Sequence, residues 1–247
     1  MDFAVLTREE VQPYAPAFAA IGLDVIAMPV TQPAPPADPG ALARLVASTH
    51  HDVAIVASPR AAFALLQARG DGELPEIWVV GPSTKRVFDI ARVPAHHPAG
   101  VVDGAGLAAA LIANRSLSGK RVLVPRAEEG RDDGIKLLRD TGAIVDDAIA
   151  YRTVPTPFDD ARLARGRELL ATGAARVCAV FAPSQVAALA RVIALAHTDC
   201  RFAAIGHTTA SALRDRGLTD IAVARTPTPE ALAEALADAL VQGRWAR

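Results

Sequence analysis

The chain carries the same pattern twice, and the order of the parts limits what it can fold into. Residues 52–63 read Asp-Val-Ala-Ile-Val-Ala-Ser-Pro-Arg-Ala-Ala-Phe, followed after a spacer by Ile-Trp-Val-Val-Gly-Pro-Ser-Thr. Residues 176–187 read Arg-Val-Cys-Ala-Val-Phe-Ala-Pro-Ser-Gln-Val-Ala, followed later by Phe-Ala-Ala-Ile-Gly-His-Thr-Thr. Each copy is an apolar run, a Pro-containing turn, a helical segment, a second apolar run and a turn opening on Gly. A weaker echo pairs Val-Leu-Thr-Arg at 5–8 with Leu-Val-Pro-Arg at 123–126, each followed by a helical segment, a Gly (Gly22, Gly142) and another apolar run. The order is short unit, long unit, short unit, long unit. Two similar lobes that face each other create a cleft, and clefts between lobes are where ligands bind.

The period of the apolar residues sets the fold class. Strand-length apolar runs at 3–6, 24–28, 53–57, 77–80, 92–95, 121–124, 145–151, 177–181, 202–205 and 220–224 alternate with segments of helical period at 9–21, 40–48, 60–69, 83–89, 104–114, 131–141, 159–172, 184–196, 208–216 and 228–241. Nearly unbroken apolar strands between helices predict parallel sheets covered on both faces. Thr228-Pro229-Glu230 is the clearest helix start, a capping residue followed by Pro at the first helical position. Two Pro-rich stretches, Met28–Pro39 and Thr153–Pro157, interrupt the rhythm and predict extended linkers. If both join the same two lobes, lobe one is 1–30 plus 157–247, lobe two is the inserted 37–152, and the linkers are about 29–38 and 152–157. A tandem split near 117 fits the periodicity equally well, but Ser116-Leu117-Ser118-Gly119 is only a short turn, so the linkers favour the interleaved arrangement.

Bulk properties exclude several classes. A hydrophobic fraction of 51% suits a well-buried globular protein. A net charge of −1 gives no field for nucleic acid or an anionic membrane. No run of about 18 apolar residues predicts a membrane span, and the N-terminus lacks the pattern of a signal peptide. Cys178 and Cys200 fit neither a zinc spacing nor a disulfide framework, so the expected compartment is a reducing cytoplasm. Lysine occurs only at Lys85, Lys120 and Lys136. Codon bias and a need for bidentate carboxylate binding by Arg both account for that.

In open parallel sheets ligands bind beyond the carboxyl ends of the strands. The residues there are Thr7 and Arg8, Ser58 to Arg60, Gly81 to Thr84, Pro125 and Arg126 with Gly130 and Arg131, Ala182 to Ser184, and Gly206 to Thr209. Small hydroxyl residues and glycines at helix starts offer amides to an anion, and they are also ordinary N-caps. His50-His51 and His96-His97 are adjacent pairs without a supporting carboxylate cluster and predict exposed loop histidines rather than a metal site. Gly104-Ala105-Gly106 lacks the later glycine and acidic residue of a dinucleotide fingerprint and reads as a loop leading into a helix. No nucleophile elbow or phosphate loop occurs. Tyr151, at a strand end beside a linker, suits a half-buried anchor or a proton donor.

Taken in order, Val-Leu-Thr-Arg, Ile-Val-Ala-Ser-Pro-Arg-Ala, Val-Val-Gly-Pro-Ser-Thr, Gly-Lys-Arg-Val-Leu-Val-Pro-Arg, Ala-Tyr-Arg-Thr-Val-Pro, Val-Phe-Ala-Pro-Ser-Gln-Val, Ala-Ile-Gly-His-Thr-Thr-Ala-Ser-Ala-Leu and Thr-Pro-Thr-Pro-Glu-Ala-Leu resemble the uroporphyrinogen-III synthase family over nearly the whole chain. The resemblance implies two flavodoxin-like α/β lobes on a two-stranded linker with a cleft between them. It implies closure of hydroxymethylbilane with loss of water and inversion of the last pyrrole ring, with no metal and no cofactor, by a protein expected to be a monomer. It maps the catalytic tyrosine onto Tyr151. It maps the family's Ser/Thr turns onto Ser58, Thr84, Ser184, Thr208 and Thr209, and together with the strand-end residues the expected substrate contacts are Thr7, Arg8, Ser58, Gly81, Ser83, Thr84, Arg126, Arg131, Pro183, Ser184, Gly206, His207, Thr208 and Thr209. Three turns depart from the family pattern: Ala57-Ser58-Pro59 and Phe181-Ala182-Pro183 where Thr-Ser-Pro is usual, and Gly206-His207-Thr208-Thr209 where Gly-Pro-Thr-Thr is usual. The rival class is a two-lobed sensor of tetrapyrroles or other anions, since fold does not fix function. A regulator is expected to carry an output domain, and only Gln242–Arg247 follow the last predicted helix, which favours the enzyme.

Overall fold

The computed structural model describes residues 2–195 and 199–241; the closing segment Gln242–Arg247 and the end of the 184–196 helical window lie outside the described residues. The chain divides into two compact units, Met1–Gln32 with Val154–Arg247, and Pro33–Thr153. In chain order the first unit holds β1 (Asp2–Leu6), α1 (Ala15–Ala19), β2 (Leu23–Ala27), α7 (Ala161–Ala171), β9 (Ala175–Val180), α8 (Pro183–Val192), β10 (Arg201–Ala204), α9 (His207–Arg214), β11 (Ile221–Val223) and α10 (Pro229–Val241). The elements between are β3 (Thr31–Ala34), α2 (Ala41–Ser48), β4 (Val53–Val56), α3 (Pro59–Arg69), β5 (Glu76–Val79), α4 (Gly81–Ile90), β6 (Ala95–His96), α5 (Gly104–Asn114), β7 (Arg121–Ala127), α6 (Asp133–Asp140) and β8 (Ile144–Pro155).

The first sheet runs β11-β10-β9-β1-β2 and the second β3-β8-β7-β4-β5-β6. The strand pairs within β11-β10-β9-β1-β2 and β8-β7-β4-β5-β6 are parallel. Matching the repeated units, β1 with β7, β2 with β8, β9 with β4, β10 with β5 and β11 with β6, gives the same spatial order in both sheets. The lobes are circular permutations of one arrangement, which is why the repeat is out of phase.

Strand alternation sorts each lobe into two cores. In lobe two, Ala54, Val56, Ile77, Val79 and Leu123 face α2, α3 and α4, where Leu42, Leu65 and Phe88 are buried. The intervening Val53, Ile55, Trp78, Val122 and Val124 face α5 and α6, packing on Leu107, Leu111, Ile135 and Leu138. In lobe one, Val5, Cys178, Val180 and Phe202 face α7, α8 and α9, while Ala4, Leu6, Val177 and Ala203 face Phe18 of α1 and Leu232 and Leu236 of α10. Burial on both faces explains the nearly continuous apolar runs. Cys178 packs as a small hydrophobe, and burial pushes its thiol well above the usual range. The α10 cap reads as expected: Ala231 N donates to Thr228 Oγ1 at 3.2 Å.

Two sequence expectations need correction, whereas the Pro-rich stretches are extended and paired, as a two-stranded linker implies. Thr31–Ala34 form an edge strand beside β8, and β8 continues to Pro155. An edge position tolerates Pro33 because one side of the strand has no ladder to serve. The 9–21 window contracts to Ala15–Ala19, with Pro16 in its first turn. Gly104 and Gly106 are helical, not a loop, with Asp103 capping the Gly106 amide at 2.8 Å.

Candidate functional site

In lobe two the chain leaves β4 towards β5 and β6 on one side, while β7 and β8 lie on the other. The crevice beyond the carboxyl ends of β4 and β7 is therefore a topological switch point, the place where such sheets bind ligands. A cavity of about 270 Å³ lies there. Its floor is Ile55 and Val124, and its walls include Ala57, Ser58, Gly104, Gly134 and Tyr151. The walls come together because α5 and α6 nearly touch: a Cβ added at Gly134 would stand 2.7 Å from the Gly104 carbonyl oxygen.

Ser58 is the N-cap of α3, held extended at φ −149°, ψ 152°. Its Oγ accepts the Ala61 amide at 3.2 Å and lies 3.2 Å from the Tyr151 hydroxyl. Tyr151 comes from the middle of β8, half-buried, with the Arg60 guanidinium 6.0 Å from its ring centre. Its other side borders a groove of about 510 Å³ lined by Pro35, Pro36, Arg60 and Phe63. Thus one phenol, one hydroxyl on a helix N-terminus and one cation meet at the switch point. Residues 58 and 151 are 93 apart in sequence, so no local signal announces their contact.

Arg126 and Arg131 also line this cavity, but both are already partnered. Arg126 grips Asp147 through Nε and Nη2 at 2.7 and 2.8 Å and donates from Nη1 to the Gly130 carbonyl at 2.9 Å. Asp147 raises its already high pKa, so it is a permanent cation spent on tying the loop after β7. Arg131 is exposed and bonds Asp133 at 2.5 Å.

The matching switch point of lobe one, beyond β1 and β9, is filled from within. The Thr7 hydroxyl donates to Gln185 Oε1 at 2.7 Å, which also accepts the Phe181 amide at 2.9 Å. Next to it the Arg8 guanidinium lies 5.0 Å from the Tyr14 ring centre and 5.1 Å from that of Phe181. Its Nη1 donates to the Tyr14 hydroxyl at 2.9 Å. Burial pushes the Tyr14 phenol above its usual range, and the charge of Arg8 opposes the shift. Arg8 Nε is buried and unpartnered. Among the described residues no carboxylate pairs with Arg8. Sequence reasoning chose Arg8, Arg126 and Arg131 together; of the three, Arg8 alone has no counter-ion among the described residues.

The remaining choices divide by burial. Ser83, Pro183, Ser184, His207 and Thr208 are exposed at the starts of α4, α8 and α9, with Gly81 and Gly206 half-buried beside them. Gly81 needs its φ of +73°, whereas Gly206 at φ 179° is simply extended. Neither α4 nor α9 has a side-chain cap, so their first amides are left for another acceptor. Thr7, Thr84 and Thr209 are buried, and the Thr7 hydroxyl is also within 3.1 Å of the Ala179 carbonyl. His51 is a correction. It is buried, with Nε2 2.9 Å from Asp146, which Arg121 also binds at 3.1 Å. His96 is exposed as expected, its ring 5.4 Å from that of Trp78. Among the described residues no cluster of three or more His, Cys, Asp or Glu is placed to hold a metal, and no helix is long and apolar enough to cross a membrane.

The crystal structure of a mutant uroporphyrinogen III synthase from Thermus thermophilus is similar, with a TM-score of 0.57 and 18% identity over 98% of this chain and all of that one. The uroporphyrinogen-III synthetase of Helicobacter pylori 26695 gives a TM-score of 0.56 and 16% identity over 97% of this chain and all of that one. At these identities the likeness establishes the fold. No curated protein matches significantly. The family model for uroporphyrinogen-III synthase HemD, however, matches residues 12–234, and with nine-tenths of the chain inside that match, the chain belongs to the uroporphyrinogen-III synthase family.

Proposed function

We propose that this chain is a hydro-lyase that closes hydroxymethylbilane to uroporphyrinogen III, working as a monomer. One observation carries the assignment of its chemistry: the Tyr151 hydroxyl stands at the rim of the lobe-two switch-point cavity, 3.2 Å from Ser58 Oγ. The bilane bears acetate and propionate arms on its rings, so it is strongly anionic. A chain of net charge −1 has to meet it locally. Arg8, Arg60 and the uncapped starts of α4 and α9 are groups available for that purpose. The cavity of about 270 Å³ is below the ~300–1,000 Å³ that encloses a whole drug-sized ligand, so it takes part of the tetrapyrrole.

In this reading the bond from the terminal methylene carbon to its hydroxyl breaks, and its electron pair leaves on oxygen. Tyr151 supplies the proton that turns the leaving group into water. The pyrrole nitrogen pair fills the electron-poor carbon. The methylene carbon bonds the last ring at its substituted α-carbon. The bond from that carbon to the neighbouring bridge carbon then breaks, and the freed bridge carbon bonds the ring's unsubstituted α-carbon, which inverts the ring and expels the proton that restores the phenol. The protein's remaining task is to hold one folded conformer of a substrate that closes unaided in the wrong sense. Tyr151→Phe is expected to slow type III formation by roughly a hundred- to ten-thousandfold, the usual range of general acid catalysis. The assay supplies hydroxymethylbilane enzymatically and resolves the oxidised type I and type III isomers. A type III fraction no higher than the spontaneous background with the intact chain moves the assignment to a tetrapyrrole-binding sensor.

A further inference from the structure

We infer that Ser58 is a positioning residue for the Tyr151 proton: it donates its hydroxyl hydrogen to the Tyr151 oxygen, so that the tyrosine's own hydrogen points away from Ser58 and towards the leaving group. The inference rests on the reading of Tyr151 as the acid and names the group that makes it one. A serine hydroxyl has one hydrogen and two lone pairs. One lone pair of Ser58 takes the Ala61 amide at 3.2 Å, and the Tyr151 oxygen is its other partner at 3.2 Å. The amide belongs to the first turn of α3, at the positive end of an 11-residue helix. Accepting from it polarises the serine O–H and makes it a better donor. When Tyr151 gives up its proton, the phenolate oxygen keeps that donor, and a hydrogen bond to a charged acceptor is worth more than one to a neutral acceptor.

The repeat shows that the hydroxyl is not needed to build the turn. The matching residue of lobe one is Ala182, which has no hydroxyl, yet its backbone stands at φ −157°, ψ 153°, against φ −149°, ψ 152° at Ser58. Both turns lead into a helix that starts with Pro. In lobe one the equivalent of the Ala61 amide, that of Gln185, donates to the Ala182 carbonyl at 3.0 Å instead. The fold makes this corner with or without the serine. What lobe two adds with Ser58 is the contact to Tyr151.

Four variants test this with the full chain, type III formation being read together with thermal melting. Ser58→Thr keeps cap and donor and is expected to stay within about threefold of the parent, since threonine caps nearly as well as serine. Ser58→Ala loses both and is expected to lower kcat about ten- to a hundredfold, with KM little changed, the range for a hydrogen bond to a charged group. Ser58→Asp keeps the cap but has no proton to donate at neutral pH, and is expected to be as slow as Ser58→Ala while melting like the parent. In a Tyr151→Phe background Ser58→Ala is expected to cost nothing further, because groups acting as a unit are not additive. The inference is overturned if Ser58→Ala or Ser58→Asp keeps parental kcat, if Ser58→Thr is as slow as Ser58→Ala, or if the Ser58→Ala loss persists in full without the tyrosine hydroxyl. Full activity of Tyr151→Phe would instead overturn the assignment of the acid.

Discussion

Gly134→Ala and Gly106→Ala are expected to change stability in opposite directions, although both place alanine in a helix of lobe two. Alanine favours a helix interior over glycine by about 1 kcal/mol, so without tertiary contacts both variants stabilise. At Gly106 the added Cβ meets Asp103 Oδ1 at 3.4 Å and Val101 Cγ1 at 3.8 Å, which is ordinary contact. Its amide bond to Asp103 survives, and the gain of about 0.5–1 kcal/mol should be realised. At Gly134 the Cβ meets the Gly104 carbonyl oxygen at 2.7 Å and its carbon at 3.0 Å. Those are backbone atoms and cannot rotate away. To restore contact, α6 has to back off α5 by about 0.3–0.7 Å, and such overpacking costs typically about 1–3 kcal/mol. Set against the propensity gain, the net loss is up to about 2 kcal/mol. Urea unfolding followed by tryptophan fluorescence measures both, because Trp78 is buried in the core that α5 and α6 cover. A Trp245→Phe background leaves Trp78 as the single reporter. Gly134 also lines the switch-point cavity, so the same displacement should weaken substrate binding while Gly106→Ala leaves it alone. A Gly134→Ala chain more stable than the parent would refute the close approach of the two helices.

Further expectations follow from the same contacts. Arg8→Ala should raise KM for the bilane about ten- to a hundredfold, more than Arg126→Ala does, since of the two only Arg8 lacks a counter-ion among the described residues; Arg8→Lys should recover only part, having lost the planar stack on Tyr14 and Phe181. Equal effects at Arg8 and Arg126 in steady-state kinetics would contradict this. Gln185→Ala leaves the Phe181 amide without its acceptor, while the Thr7 hydroxyl keeps the Ala179 carbonyl at 3.1 Å, and should destabilise lobe one by about 1–3 kcal/mol in urea melts; an unchanged midpoint would show that water replaces the amide. Arg162 hydrogen bonds hold the Asp160 carboxyl down to about 2 from 3.8. The stabilisation from this cap is therefore present above pH 3.8 and is lost as pH falls through about 2. Carboxyl NMR titration checks it: Arg162→Ala should return Asp160 towards the ordinary carboxylate range.

What the sequence made legible followed from local period. Runs such as Val53–Val56 and Val177–Val180 are buried on both faces, and such runs announce a parallel strand wherever they occur. Residues after those strands do stand beyond the strands' carboxyl ends. Elements that owe their form to neighbours were not legible. β3 contains Pro33 and has no apolar alternation; it is a strand because β8 lies beside it. His51 looked like a loop residue because its partner Asp146 is 95 positions away. Burial of Thr7, Thr84 and Thr209 was hidden for the same reason: a strand end fixes which residue comes next, but packing decides whether its hydroxyl turns outward.

The repeat itself shows that the two lobes serve the same corner with different groups. Among the differences between the copies are two positions three apart in sequence. Lobe two has Ser58 and Ala61, lobe one Ala182 and Gln185. In lobe one the longer Gln185 side chain reaches back over the strand ends and binds both the Phe181 amide and Thr7, so the crevice is occupied by the protein's own groups. In lobe two the helix start is capped from its own first corner, and alanine at 61 leaves nothing to reach across. Position 7 follows the same logic: its counterpart Pro125 has no hydroxyl to plug the gap, and Arg126 beside it turns to Asp147. Gln185 serves the Phe181 amide ahead of its helix, whereas Ser58 serves the Ala61 amide inside its own, and alanine at 61 puts no long side chain beside Tyr151. An Ala61→Gln chain should therefore fold, and lose the cavity.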